Sequence, residues 1–264
     1  MPGYLLWSFL GSILYIVSGT ETDPWCSTSW DEFIVGGRNA TPGEFPWHVR
    51  LDFIHDVGLR CGGALIASDI VVTAAHCVTK FEMSTLRVVG GVEWSDPPSS
   101  TQTRKVKNIK VHEDFQDPPL YDIALLKLDE PFDILASNCT IGSISLPEKD
   151  YRIEGDVFVT GSGLDENYRY PPTLQVVSLP VTSPQWKCIA CPIRKRLVFC
   201  AGATGKDTCR DDSGDPAIQY PEGNPVLVGI TSTGPRNCGD GTPAKYVRVS
   251  AFLDWIAHNK GVLN

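Results

Sequence analysis

Short apolar runs alternate with clusters of turn-forming residues along most of this chain. Ile70 to Thr73, Leu86 to Val89, Ile123 to Leu128, Val157 to Thr160 and Val226 to Ile230 are rich in branched aliphatic side chains, which pack well on a pleated surface. Between such runs stand Asp96-Pro97-Pro98 and Pro221-Glu222-Gly223-Asn224-Pro225, residue types that turn a chain by fixing φ or by tolerating positive φ. Short strands with frequent turns predict an all-β barrel or sandwich. Near the C-terminus the period changes. Phe252, Trp255 and Ile256 stand at i, i+3 and i+4, which predicts a helix over Val249 to Lys260 with those side chains on its buried face.

A chain of 264 residues with 42% hydrophobic content can bury a substantial core as one all-β domain. The apolar stretch Leu5 to Val17 is short for a membrane span and is followed by small residues. It reads as a signal peptide over residues 1–19; because no Lys or Arg precedes it, a buried N-terminal element is the alternative. The formal net charge of −8 argues against nucleic acid or an anionic membrane as partner. The basic clusters Arg194-Lys195-Arg196 and Arg104-Lys105-Val106-Lys107 read as solvated faces. Nine cysteines behind a leader point to disulfides in an oxidising compartment. Cys188 and Cys191 also have metal or redox spacing, but no second cluster accompanies them, so no metal is expected. Asn39-Ala40-Thr41 and Asn138-Cys139-Thr140 match the glycosylation sequon.

Three motifs carry candidate chemistry. They are Thr73-Ala74-Ala75-His76-Cys77 after an apolar run, Asp122-Ile123-Ala124-Leu125-Leu126, and the stretch Asp207 to Pro216 containing Asp211-Asp212-Ser213-Gly214-Asp215. A serine hydroxyl is a poor nucleophile until a base accepts its proton. Neutral imidazole can take that proton and return it, and a buried carboxylate holds the ring in the useful tautomer. The last motif resembles the nucleophile loop of trypsin-like serine proteases, Gly-Asp-Ser-Gly-Gly-Pro, with aspartates at its first and last glycines. The order His76, Asp122, Ser213 is that of the chymotrypsin fold, not that of subtilisin or the α/β-hydrolases. This resemblance covers Ile34 to about Asn259. It implies two packed six-stranded antiparallel β-barrels with a C-terminal helix and a site in the cleft between them. His76 would be the general base, Asp122 its orienting carboxylate and Ser213 the nucleophile. The implied protein is a secreted, monomeric endopeptidase that acts on proteins or peptides, is open to protein inhibitors and needs no cofactor.

Further roles follow from the same resemblance. Asp207 would stand at the base of the primary pocket and select Arg or Lys by a charge-assisted hydrogen bond. Ser232 and Gly234 lie in the strand that pairs with substrate, Thr233 replaces a usual tryptophan, and Ala244 replaces a second pocket glycine. The backbone N–H groups of Asp211 and Ser213 would form the oxyanion hole. Residues 20–33 would be a propeptide and 34–264 the peptidase domain. Cleavage after Phe33 would free the Ile34 amino group to pair with Asp212; because residues 20–33 hold no Lys or Arg, the activating protease must accept Phe. Implied disulfides are Cys61–Cys77, Cys209–Cys238, Cys26–Cys139, and Cys200 with Cys188 or Cys191. Val157 and Gln219 occupy the positions of a bridge common in relatives. A side chain at Asp211 is expected to turn the oxyanion peptide and impair turnover. The alternative is a weak or inactive homologue acting as a binding protein, inhibitor or toxin.

Overall fold

The computed structural model describes residues 37–56, 59–91, 101–116, 120–163, 170–171, 173–182, 196–208, 211–234 and 239–263. The segments expected to be leader and propeptide, Ile34 and cysteines 26, 188, 191, 209 and 238 lie outside them.

After the short strand β1 (Arg38–Asn39), six antiparallel strands close a barrel in the order β2-β3-β4-β7-β6-β5. They are β2 (His48–Phe53), β3 (Arg60–Ala67), β4 (Ile70–Thr73), β5 (Leu86–Gly90), β6 (Gln102–Val111) and β7 (Ala124–Leu128). Val49, Leu51, Leu65, Val71, Val88 and Leu125 are wholly buried, and each buried aliphatic side chain stabilises by roughly 1.5–3 kcal/mol.

The second unit comprises β8 (Asp156–Gly161), β9 (Gln175–Pro180), β10 (Val198–Ala201), β11 (Pro216–Gln219), β12 (Val226–Thr233) and β13 (Ala244–Arg248). With β1 they form one curled sheet in the order β1-β9-β8-β11-β12-β13-β10. Its ends are tied by Thr182 N–H to Cys200 O at 2.9 Å and Gly202 N–H to Pro180 O at 3.2 Å. Two barrels were expected, and the second is this half-barrel. Beyond Pro180 the two ends meet in the antiparallel Val181–Ala201 bridge.

A 3-10 turn, Val249–Phe252, leads into helix α1 (Leu253–Leu263). Phe252 and Ile256 are buried as predicted. Trp255 is half-buried, stacks on His112 and donates its indole N–H to Glu113 at 2.8 Å, which fastens the helix onto the first barrel. The Cys61–Cys77 disulfide is present. Cys139 and Cys200 are also disulfide-bonded, and the partners expected for them lie outside the described residues.

Val157 and Gln219 fill the space of the missing bridge without leaving an orphan. Val157 is fully buried, and Gln219 Nε2 donates to Glu154 O at 2.6 Å and Asp156 O at 2.9 Å. Gln219→Met keeps the volume and strips both carbonyls of a donor. Equilibrium denaturation should register a loss of about 1–3 kcal/mol; no loss would mean that the two bonds are replaced by water.

Candidate active site

β4 ends at Thr73, and the chain turns through a 3-10 segment, Ala75–Cys77, that carries His76. Ala74 and Ala75 are wholly buried. Asp122, immediately before Ile123 and β7, is 2% exposed. Its Oδ1 accepts the His76 backbone N–H at 2.9 Å, and its Oδ2 lies 2.7 Å from His76 Nδ1. A carboxylate can only accept, so Nδ1 carries the proton and Nε2 of the neutral ring is left as the base. Ser232, from β12, donates its hydroxyl to the same Oδ2 at 2.6 Å. Sequence reasoning placed Ser232 in the substrate strand and missed this bond, which no local pattern encodes.

Ser213 O and His76 Nε2 both approach Cys77 Sγ, at 3.5 and 3.9 Å. The His76 ring and the Ser213 backbone therefore lie against the same disulfide sulfur. Among the described hydrogen bonds none joins Ser213 Oγ to Nε2, a contact that commonly tightens only with substrate bound. The serine loop is held from both units: Gly62 N–H donates to Ser213 O at 2.8 Å, and Gly214 N–H to Thr231 O at 2.8 Å. Gly214 has φ +85°, and a Cβ there would stand 2.3 Å from Gly62 O and 2.5 Å from Thr73 Oγ1.

Asp211 has φ +70°. This is the left-handed region that glycine enters freely and aspartate tolerates, so the side chain has not forced the backbone out of a glycine-like conformation. Its carboxylate accepts the Tyr170 hydroxyl at 2.6 Å, and the Arg60 guanidinium lies 4.2 Å over the Tyr170 ring. Burial, with the Asp211 bond adding, pushes the Tyr170 phenol up to about 12. Asp212 Oδ1 accepts Gly163 N–H at 2.8 Å.

Asp207 is half-buried beside the same loop, taking Thr208 N–H at 2.9 Å and, weakly, Gly239 N–H at 3.4 Å. Burial pushes its carboxyl up to about 7; those two bonds oppose the rise, and Asp240 and Asp212 add to it. Ala244 is wholly buried at the start of β13, and Gly234 follows β12 with Thr208 O 3.4 Å from where its Cβ would stand. Among the described residues no group of three His, Cys, Asp or Glu side chains could hold a metal ion. The two sequon asparagines, Asn39 and Asn138, are both exposed.

A nucleophile loop, an imidazole and a buried carboxylate held between a closed barrel and a half-barrel define the architecture of a chymotrypsin-fold hydrolase. The chain matches the Trypsin family over residues 34–256 and belongs to it. It is similar to Hypodermin-B of Hypoderma lineatum, with 36% identity over 239 residues that cover 87% of this chain and 88% of that protein.

Gly214→Ala should cost about 2–4 kcal/mol in a denaturant titration, combining left-handed strain with overpacking against Gly62. Stability equal to that of the unmutated chain would show that Gly62 and Thr73 can move aside.

Proposed function

We propose that this chain is a secreted serine endopeptidase that cuts peptide bonds after Arg or Lys. The observation that carries the reading is the pairing of His76 Nδ1 with the buried Asp122 carboxylate at 2.7 Å, which leaves Nε2 basic beside Ser213. In the first step His76 takes the Ser213 proton as Oγ attacks the scissile carbonyl. Asp122 steadies the imidazolium, helped by the Ser232 hydroxyl. The developing oxyanion is met by the N–H groups of Asp211 and Ser213. His76 then returns the proton to the leaving amine, and water repeats the sequence on the acyl-enzyme.

Asp207 supports the choice of Arg or Lys. A desolvated carboxyl whose pKa lies near 7 when the pocket is empty gains most from a ligand that brings a positive charge. Activation by cleavage after Phe33, with the Ile34 amino group joining Asp212, belongs to the same reading, as does a monomeric enzyme met by protein inhibitors. The reading of a homologue without turnover rests chiefly on Asp211, whose carboxylate is taken up by Tyr170.

A fluorophosphonate should label the chain cut before Ile34, and the label should be lost in Ser213→Ala. A mixed peptide library should be cut after Arg and Lys. Because binding a cation requires ionised Asp207, affinity for benzamidine should weaken about tenfold per pH unit below about 7 and level off above it. Cleavage after Phe, Leu or Val, or absence of labelling in the correctly cut chain, would refute this function.

A further inference from the structure

Behind the serine loop lies a second pair of titratable groups that the hydrolytic mechanism does not use. His48 of β2 is 3% exposed and Asp215 is 1% exposed. His48 Nδ1 meets Thr160 Oγ1 at 3.1 Å, and its Nε2 stands 3.8 Å from Asp215 Oδ1. Among the described residues neither His48 Nε2 nor Asp215 Oδ2 meets a hydrogen-bond partner at normal geometry, and the Asp212 carboxyl influences Asp215. The space they occupy exists because two neighbours are glycine. A Cβ on Gly62 would lie 1.5 Å from Asp215 Oδ1, and one on Gly161 would lie 2.6 Å from Asp215 Oδ2 and 2.3 Å from Asp212 Oδ1. The Asp212 and Asp215 carboxyl groups therefore converge on one α-carbon, and two negative charges there would be poorly solvated and mutually repelled.

We propose that His48 and Asp215 are positioning residues that hold one proton between them, so that Asp212 is the single negative charge among the described residues of the pocket behind Ser213, and that loss of this proton loosens the serine loop. The link to the loop is covalent and short. Asp215 stands two residues after Ser213, its N–H donates to Asp212 O at 3.2 Å, and its carbonyl accepts Thr231 N–H at 2.9 Å. Only the consequence for catalysis rests on the hydrolase reading.

Burial, reinforced by the Asp212 carboxylate, holds the Asp215 carboxyl well above the usual range, and burial with nearby Arg50 pushes His48 down to about 3. Among the described residues the remaining groups facing the pair are few. The loop presents Asp212, and β2 presents Arg50. From β3 and β8 come Gly62, Thr160 and Gly161, and β12 offers Thr231. Tyr246 of β13 and Asp207 feel the same field, and burial keeps the Tyr246 hydroxyl protonated.

The proton count fixes the sign. Between about pH 4 and 6.5 the unfolded chain carries one proton on these two groups, on the histidine. The fold also carries one, so their contribution to stability is flat. Above about 6.5 the unfolded chain carries none and the fold keeps one, so stability falls as pH rises through the native Asp215 pKa. Below about 4 the unfolded chain carries two, and stability falls toward pH 3.

The test compares the full chain with Asp215→Asn, which keeps the shape and removes the proton. The folding constant of the unmutated chain relative to Asp215→Asn should drop about tenfold per pH unit above about 4. Amide protection at Gly214 and Thr231 should fall with rising pH in the unmutated chain and stay level in the variant. A ratio independent of pH, or protection that falls equally in both, overturns the proposal. If Asp215→Asn does not fold, His48→Gln decides. Its stability should decline already from about pH 4, since its unfolded state has lost the histidine proton; a flat course from 4 to 6.5 overturns the pairing. Fluorophosphonate labelling separates the two readings: a chain that passes both arms yet never labels keeps this pair and loses the hydrolase.

Discussion

Gly62 is the point on which three consecutive residues of the serine loop depend. Its N–H fixes the Ser213 carbonyl, its own carbonyl faces the α-carbon of Gly214, and the absence of its Cβ admits the Asp215 carboxyl. Because Gly62 sits in β3 of the closed barrel, the loop of the half-barrel takes its shape from the other unit. The Asp122 carboxylate repeats the arrangement in reverse. It comes from the first barrel, holds His76 of the first barrel, and is held by Ser232 of β12. The His76–Asp122 pair and the Ser213 loop thus take their geometry from contacts across the seam between the two units.

Two aspartates replace glycines in this loop, and each is accommodated differently. Asp211 stays near the surface, adopts the left-handed backbone at a strain of order 1–3 kcal/mol, and gives its carboxylate to Tyr170. Asp215 is driven inward, where a charge would be costly, and lies against a histidine and two glycines. Its neighbour Asp212 sits between the two, at Gly163. With three carboxyl groups this close, the loop's net charge depends on where its protons reside.

Much of the fold was legible in the sequence, because buried strands are nearly continuous apolar runs. Ile70 to Thr73 is β4 to the residue, and Val226 to Ile230 is the body of β12. β6 was not legible: it reads Gln-Thr-Arg-Lys-Val-Lys-Asn-Ile-Lys-Val with most side chains at least partly exposed, so it carries neither an apolar run nor clean alternation. His76, Asp122 and Ser213 were visible as motifs. Ser232 on Asp122, 110 residues apart, and Tyr170 on Asp211, 41 apart, were not, because each is a contact between elements that only the completed topology brings together. His48 belongs to no motif in the sequence, and only its buried Nε2, 3.8 Å from Asp215 Oδ1 and without a hydrogen-bond partner among the described residues, distinguishes it.

Whether the serine loop is competent turns on Asp211. If its left-handed backbone leaves the oxyanion N–H in place, Asp211→Gly should change kcat on a small Arg ester by less than about tenfold, the residue of a nearby carboxylate and relieved strain. A gain of roughly 10²–10³-fold, the size expected when a missing oxyanion donor is restored, would contradict that geometry and show that the aspartate had removed a donor from the native loop.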